Sequence, residues 1–356
     1  MSKTKLLIFS LVMILFFCFS VEIVFRVILT IKTKSLGFLF FGIVKEDADK
    51  ATFQKIMGAD GRSLYHKAIP SHDERNPINR SGFRGQEIKR RDPSTVRIIC
   101  LGGSTTYGLG LDYKDTYPKL LQDELNKKSM RNHYEVINAG MPALKLSHII
   151  SLVLTEIIPL KPNIIILMSV TNNLVSDDQQ FFFTTVEGEE RNVVVRISRK
   201  LINRIKKYSL AVTITDDIVK KGFKDYLRTI DLRRIASKIM TSNKVWINYK
   251  SDIEHFIMIF KHNPSVKILV LDEAVNLIDY PELVGPTNRG REVLWDTCRG
   301  KNNVKTIAVS RAVMDAQQKG VDVWIASYVD PFHLSRKGNE IIAQLLAKQI
   351  ISMSPI

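Results

Sequence analysis

The chain has 356 residues, 45% apolar and 25% charged, enough for one large domain or two smaller ones with a real core. Its formal net charge of +16 would suit nucleic acid, an anionic membrane surface or an acidic polymer. No zinc-ligand spacing and no basic-aromatic pattern of an RNA-binding module accompanies that charge, which argues against nucleic acid and favours anionic headgroups near a bilayer.

Residues 6–31, LLIFSLVMILFFCFSVEIVFRVILTI, are apolar except for Glu22 and Arg26, which stand four apart and can pair along one helix face. With Ile23 to Ile31 included, the run reaches the roughly 20 residues that a membrane span needs. The other reading ends the span near Val21 and continues as an interfacial helix. No small-x-small cleavage site follows. Residues 1–31 therefore read as an uncleaved signal-anchor segment. Lys3 and Lys5 favour a cytoplasmic N-terminus and an extracytoplasmic remainder, periplasmic or at the cell surface. The shorter run LGFLFFGIV (36–44) either lies at the interface or packs in a core. Residues 32–95 carry turn signals in ERNPINRSGFRG and RRDPS and read as a membrane-proximal stalk and entry segment.

A domain over residues 96–351 follows. VRIICLG is a strand. DTYPKLLQDELNKK is a helix capped by Asp115, with Tyr117, Leu120, Leu121 and Leu125 along one side. YEVINAG is a second strand, LSHIISLVLTEIIPL a helix, and PNIIILMSV a third strand, apolar throughout as a strand buried on both faces should be. The alternation breaks over about 175–245, which reads as an inserted cap with a hairpin and basic amphipathic helices. In one of these, Ile197, Leu201, Ile205 and Tyr208 share a side opposite Arg and Lys. That pattern suits either bilayer adsorption or packing on the sheet with a solvated basic face. The alternation resumes with a helix (NYKSDIEHFIMIFKH), a strand (VKILVLDEA), a helix (TIAVSRAVMDAQQKG), a strand (VDVWIAS) and a final helix (SRKGNEIIAQLLAKQI). Such a rhythm implies a parallel sheet covered by helices on both faces. In such sheets ligands sit beyond the carboxyl ends of the strands.

Ser104, Gly140, Asn172 and the pair Asp330 and His333 each follow one of these expected strands. Together they could carry acyl transfer, which needs a nucleophile, a base, a group to orient the base, and donors for an oxyanion. Ser104 supplies the hydroxyl, His333 the base, and Asp330, three residues earlier in DPFH, the carboxylate that holds the imidazole. The N–H groups of Ser104 and Gly140 and the amide of Asn172 supply the oxyanion hole. Singly, each of these residues also reads as a cap or a turn; their joint occurrence at four strand ends is what points to acyl transfer. A second Asp-x-x-His, Asp252 and His255, falls inside an expected helix and reads as surface. His66, His72, His133, His148 and His262 lack ligand spacing, so no metal or cofactor is implied. Cys18 and Cys100 read as small core residues, and Trp246, Trp295 and Trp324 as core.

The four blocks LGGST, NAG, VTNNL and DPFHLSRKGNEIIA resemble those of the SGNH/GDSL hydrolases, in the same chain order, and NRSGFRG is similar to a stretch in membrane-anchored members. The resemblance implies a flavodoxin-like three-layer αβα sandwich around a parallel sheet of about five strands. It implies Ser104, Asp330 and His333 as a catalytic triad and Ser104, Gly140 and Asn172 as oxyanion donors. Two positions depart from the family pattern. Gly103 replaces the usual Asp before the nucleophile. Val170 replaces the glycine two residues before the asparagine, where a side chain is expected to narrow the pocket or shift Asn172. The implied function is a membrane-anchored serine esterase acting on an O-acyl ester, such as acetyl, of an envelope glycan or lipid. An O-acyltransferase using the same site, a lipid-directed lipase or thioesterase, and a non-catalytic surface or assembly protein are the alternatives.

Overall fold

The computed structural model describes residues 13, 16–17, 19–24, 27, 53–59, 63–92, 94–129, 132–174, 242–278, 280–325 and 332–353. These fall into two compact units, one holding the described residues between Met13 and Val27 and the other those from Phe53 onward. In the first unit the described residues are helical, and Phe16, Phe17 and Phe19 are exposed. Among the described residues no helix is long and apolar enough to cross a membrane. Most of the expected anchor, the LGFLFFGIV run and most of the cap, from 175 to 241, lie outside the described residues.

The second unit opens with a hairpin in the stretch read as stalk and entry segment. Strand β1 (Phe53–Met57) pairs antiparallel with β2 (Ser63–Ala68). Tyr65 of β2 and Phe83 beyond it are buried in the main core, so the described part of that stretch, from Phe53, belongs to the folded unit. A parallel sheet follows: β3 (Thr95–Gly102), β4 (His133–Asn138), β5 (Ile164–Met168), β6 (Lys267–Leu271) and β7 (Val304–Ile307), in the spatial order 4-3-5-6-7. Counted within the sheet this is 2-1-3-4-5, the flavodoxin-like order, whose switch point lies between β3 and β5. In register, Ile98 and Ile164 are neighbours across that switch.

Side chains alternate between the two faces of the sheet, as strand geometry requires. Ile99, Leu101, Ile165, Leu167, Ile268 and Val270 pack with helices α3 (Leu146–Leu152), α4 (Asn243–Ile259) and α5 (Val284–Cys298). Ile98, Cys100, Ile164, Ile166, Leu269 and Leu271 pack with α2 (Tyr117–Lys128), α6 (Val309–Gln318) and α7 (Arg336–Ser352). The short helix α1 (Ser104–Tyr107) leaves the end of β3.

Three sequence expectations need correction. The fifth strand is β7, at the sheet edge, and not VDVWIAS, where among the described residues Trp324 forms only an isolated bridge to Leu334. Helix α5 fills a stretch to which no element was assigned, and its opening VGPTNRG carries the glycine and proline that usually interrupt a helix. Pro286 is tolerated there because the first-turn N–H groups of a helix have no intrahelical partner. Helix α2 begins after Thr116. Asp115 ends a preceding 3-10 turn and pairs with Arg336 at 3.2 Å instead of capping. Trp246 and Trp324 are core as expected, and Trp295 is partly buried against the core.

Candidate active site

Ser104 is the first residue of α1, directly past the carboxyl end of β3, and is half-buried. Gly102 and Gly103 let the chain turn without side chains: a β-carbon at Gly102 would lie 2.5 Å from the Met168 carbonyl of β5. The rest of α1, Thr105, Thr106 and Tyr107, is buried, so the Ser104 backbone is seated on a packed turn. Ser104 O accepts the N–H groups of Gly108 at 2.8 Å and Leu109 at 3.0 Å.

Gly140 follows β4 and is pressed against α1. A β-carbon there would stand 2.5 Å from the Tyr107 nitrogen and 2.7 Å from the Thr106 carbonyl carbon. Its neighbours anchor it to β3, with Ala139 N–H donating to Cys100 O at 2.9 Å and Met141 N–H to Gly102 O at 3.1 Å. The Gly140 N–H donates to the side-chain oxygen of Asn138 at 3.1 Å. Asn138 also donates to Tyr107 O at 3.3 Å, so it braces the second loop against the first.

Asn172 lies in the turn Thr171–Leu174 after β5, across the switch point from Ser104. Its side-chain amide nitrogen occupies the space that a β-carbon on Gly103 would need. One amide proton goes to Leu144 O at 3.0 Å. Ala143, just before Leu144, is held at φ 58°, a left-handed conformation that costs an L-residue about 1–2 kcal/mol. Asn173 ties the turn down, accepting Leu146 N–H at 2.7 Å and donating to Ser169 O at 3.0 Å. Val170 is buried in the core on the α5 side. Its Cγ1 lies 2.9 Å from where a β-carbon on Gly290 would be, so Gly290 makes room for it. The Val170 side chain is thus taken up against α5, and the Asn172 amide lies against Gly103.

His333 is half-buried and precedes α7. Two hydrogen bonds hold its strand-like segment: Ile325 N–H to His333 O at 3.1 Å and Ser335 N–H to Val323 O at 2.9 Å. Ser335 caps α7 by accepting from Gly338 N–H at 3.4 Å. Ile325 Cδ1 lies 3.0 Å from the position of a β-carbon on Gly110, so the His333 segment runs beside the loop that follows Ser104. Asp330 lies outside the described residues.

Glu273 holds the asparagine turn, and sequence reasoning did not single it out. The signal was present as an acidic pair, Asp272 and Glu273, at the carboxyl end of a buried strand. The Glu273 carboxylate accepts the N–H groups of Val170 at 3.1 Å and Thr171 at 2.5 Å. Burial raises its carboxyl above the ordinary range, opposed by the hydrogen bonds from Thr171 and Val170 and by the charge of His333. The neighbouring Asp272 turns to the other side, where it pairs with Arg291 at 2.8 Å and accepts Ser310 N–H at 3.0 Å. The decoy pair behaves differently: His255 is exposed on α4 and Asp252 half-buried. Among the described residues no cluster of His, Cys, Asp and Glu could hold a metal ion.

The first three blocks therefore meet at the carboxyl ends of β3, β4 and β5, with a hydroxyl, a backbone N–H and a side-chain amide in adjoining loops. No protein-family model matches the chain, and no curated protein matches it. Among solved structures it is similar to LAE5, an alpha/beta hydrolase enzyme from the metagenome of Lake Arreo, Spain. That likeness has 11% identity and a TM-score of 0.46 and covers 73% of this chain and 97% of that one. The chain is also similar to the lipase/acylhydrolase from Enterococcus faecalis, at 15% identity and a TM-score of 0.45 over 72% of this chain and 96% of that one. An acetyl xylan esterase, AlAXEase, is similar at 15% identity and a TM-score of 0.43 over 72% of this chain and 100% of that one.

Proposed function

We propose that the protein is a serine-dependent carboxylic ester hydrolase of the SGNH/GDSL kind. The observation that carries this reading is the meeting of three loops: Gly103 abuts the Asn172 amide, and Gly140 abuts the backbone of Thr106 and Tyr107. In this reading His333 takes the proton of Ser104 Oγ as the oxygen attacks the ester carbonyl. The oxyanion collects the N–H of Ser104, the N–H of Gly140 released from Asn138, and the second proton of the Asn172 amide. The ester C–O bond then breaks as His333 returns the proton to the departing alcohol. Water repeats the sequence on the acyl-serine and frees the acid. Asp330, in the same DPFH stretch, holds the imidazole in the required tautomer. Each oxyanion donor contributes about 2.7–4 kcal/mol of transition-state stabilisation.

The substrate of this reading is an O-acyl ester, such as acetyl, of an envelope glycan or lipid. Residues 1–31 anchor the chain as a single-pass protein with the hydrolase unit outside the cytoplasm. Their apolar run and the net charge of +16 support a site beside an anionic bilayer.

The test is hydrolysis of p-nitrophenyl acetate by the detergent-solubilised full chain, together with labelling of Ser104 by a fluorophosphonate. Wild type is expected to do both, and Ser104→Ala neither. Equal turnover by the two proteins, or a wild type that does not label, rejects the reading in favour of a non-catalytic member of the fold. An added glycan acceptor that takes up the acyl group would identify the same serine as serving a transferase.

A further inference from the structure

Arg84 belongs to NRSGFRG (79–85), a stretch upstream of β3 that supplies no group to the chemistry above. The residue is 2% exposed. Its Nη1 donates to the carbonyls of Tyr107 and Gly108, both at 2.8 Å, and its Nη2 to the carbonyl of Leu111 at 2.5 Å. Its guanidinium carbon lies 4.6 Å from the centre of the Tyr107 ring. These carbonyls form the end of α1 and the turn that leaves it.

A four-residue helix cannot hold its shape by its own hydrogen bonds, and its last carbonyls have no intrahelical partner. Arg84 satisfies them from outside. Its backbone reaches the second loop as well: its N–H donates to Asn138 O at 3.2 Å, on the residue whose amide binds Tyr107 O and the Gly140 N–H. One buried residue thus touches both, its guanidinium the Ser104 turn and its backbone N–H the strand end that leads to Gly140. The flanking glycines fix its course. Gly85 takes φ 132°, and a β-carbon there would meet the Tyr113 hydroxyl at 2.9 Å; one on Gly82, at φ 73°, would meet Ala68 O at 2.7 Å.

We propose that Arg84 is a positioning residue that sets the orientation of the Ser104 turn against Gly140. It does so by clamping three backbone carbonyls between residues 107 and 111. The proposal rests on Ser104 being the nucleophile. A guanidinium is required because its planar fork reaches several acceptors at once, whereas the lysine ammonium is a single point charge on a flexible stem.

The experiment compares full-length wild type, Arg84→Lys, Arg84→Ala and Asn79→Ala in detergent, by p-nitrophenyl acetate kinetics and thermal unfolding. Asn79→Ala is the structural control. It removes the bonds from Phe83 N–H and to Gln86 O, both at 3.0 Å, which lie within the same segment. Arg84→Lys is expected to lose kcat by about 10-fold and Arg84→Ala by about 100-fold with KM nearly unchanged, the size of loss that a small misplacement of a reacting group produces. Free guanidinium should restore part of the Arg84→Ala rate and none of the Asn79→Ala rate. The role is overturned if Arg84→Lys keeps the wild-type kcat, if Asn79→Ala loses as much kcat as Arg84→Lys, or if Arg84→Lys fails to fold while Asn79→Ala folds. If Arg84→Ala does not fold, Arg84→Lys decides. An inactive wild type rejects the hydrolase reading instead, so the two failures are distinct.

Discussion

The Asn172 side-chain amide stands where a β-carbon on residue 103 would have to be, so Gly103 and Asn172 are matched to each other. The resembled family places Asp before its nucleophile. In this chain any side chain there would displace the amide from its bond to Leu144 O at 3.0 Å. Gly103→Ala is therefore expected to lower kcat about as much as Asn172→Ala, on the order of 10²–10³-fold for one oxyanion donor. The double variant should be no worse than the poorer single one, because both remove the same interaction. Steady-state kinetics on the three proteins checks this, and losses that multiply would show that the two residues act separately.

Val170 and Gly290 form a second matched pair, 2.9 Å from Val170 Cγ1 to the β-carbon that Gly290 lacks. Gly290→Ala overpacks the α5 side of the core and is expected to destabilise by about 1–3 kcal/mol. Val170→Ala removes the offending methyls, so in that background the added cost of Gly290→Ala should largely vanish. Urea denaturation of the four proteins of the cycle measures the coupling. Equal costs of Gly290→Ala in both backgrounds would mean that the departure at 170 is absorbed elsewhere.

The pattern of success at the level of sequence follows burial. Strand β5 is a continuous apolar run, β6 is one after Lys267 and β3 is one apart from Arg97, because both faces are covered, and such runs announce themselves. Strand β7 does not, since it lies at the sheet edge with Lys305 and Thr306 exposed and is only four residues long. Helix α5 was hidden by Gly285, Pro286 and Gly290, residues that usually break a helix. Of the site, Ser104, Gly140 and Asn172 were legible because each follows a strand run. Arg84, Asn138 and Glu273 were not, because their partners are backbone groups of remote loops that no local pattern specifies. The structure sets the loop carrying Gly103 and Ser104 against Asn172 and against Gly140, and runs the His333 segment past the loop after Ser104.

The two described thiols give a test of the core itself. Burial pushes the Cys298 thiol up to about 12, with Lys301 pulling the other way, and burial also raises Cys100. Both are core residues, 3% and 0% exposed. The thiolate is the reactive species, so at pH 8 iodoacetamide should leave both unmodified in the folded protein and alkylate them once urea unfolds it. Mass spectrometry of the peptides carrying Cys100 and Cys298 reads the outcome. Fast alkylation of Cys298 in native protein would contradict the packing of α5 on the sheet.

Glu273 makes stability depend on pH with a definite sign. Its folded-state carboxyl is raised above the ordinary 4.5, chiefly by burial, while the unfolded chain keeps the ordinary value. Between those values the folded state binds more protons than the unfolded state, so this group's contribution is fully present below about 4.5 and is lost as pH rises through the raised folded value. Glu273→Gln has no such proton to lose, and its amide oxygen can still accept the N–H groups of Val170 and Thr171. Relative to wild type, the variant should therefore gain stability as pH rises from 4.5 toward neutrality. Nearby groups bear on the reading: Asp272 is compensated by Arg291, His333 favours the ionised carboxylate, and the Tyr249 hydroxyl is raised chiefly by burial and secondarily by Glu273. Thermal unfolding of both proteins from pH 4 to 8 measures the difference. Parallel curves would mean that the carboxylate pays no desolvation penalty where it holds the Asn172 turn, and a difference of opposite slope would place its folded value below 4.5.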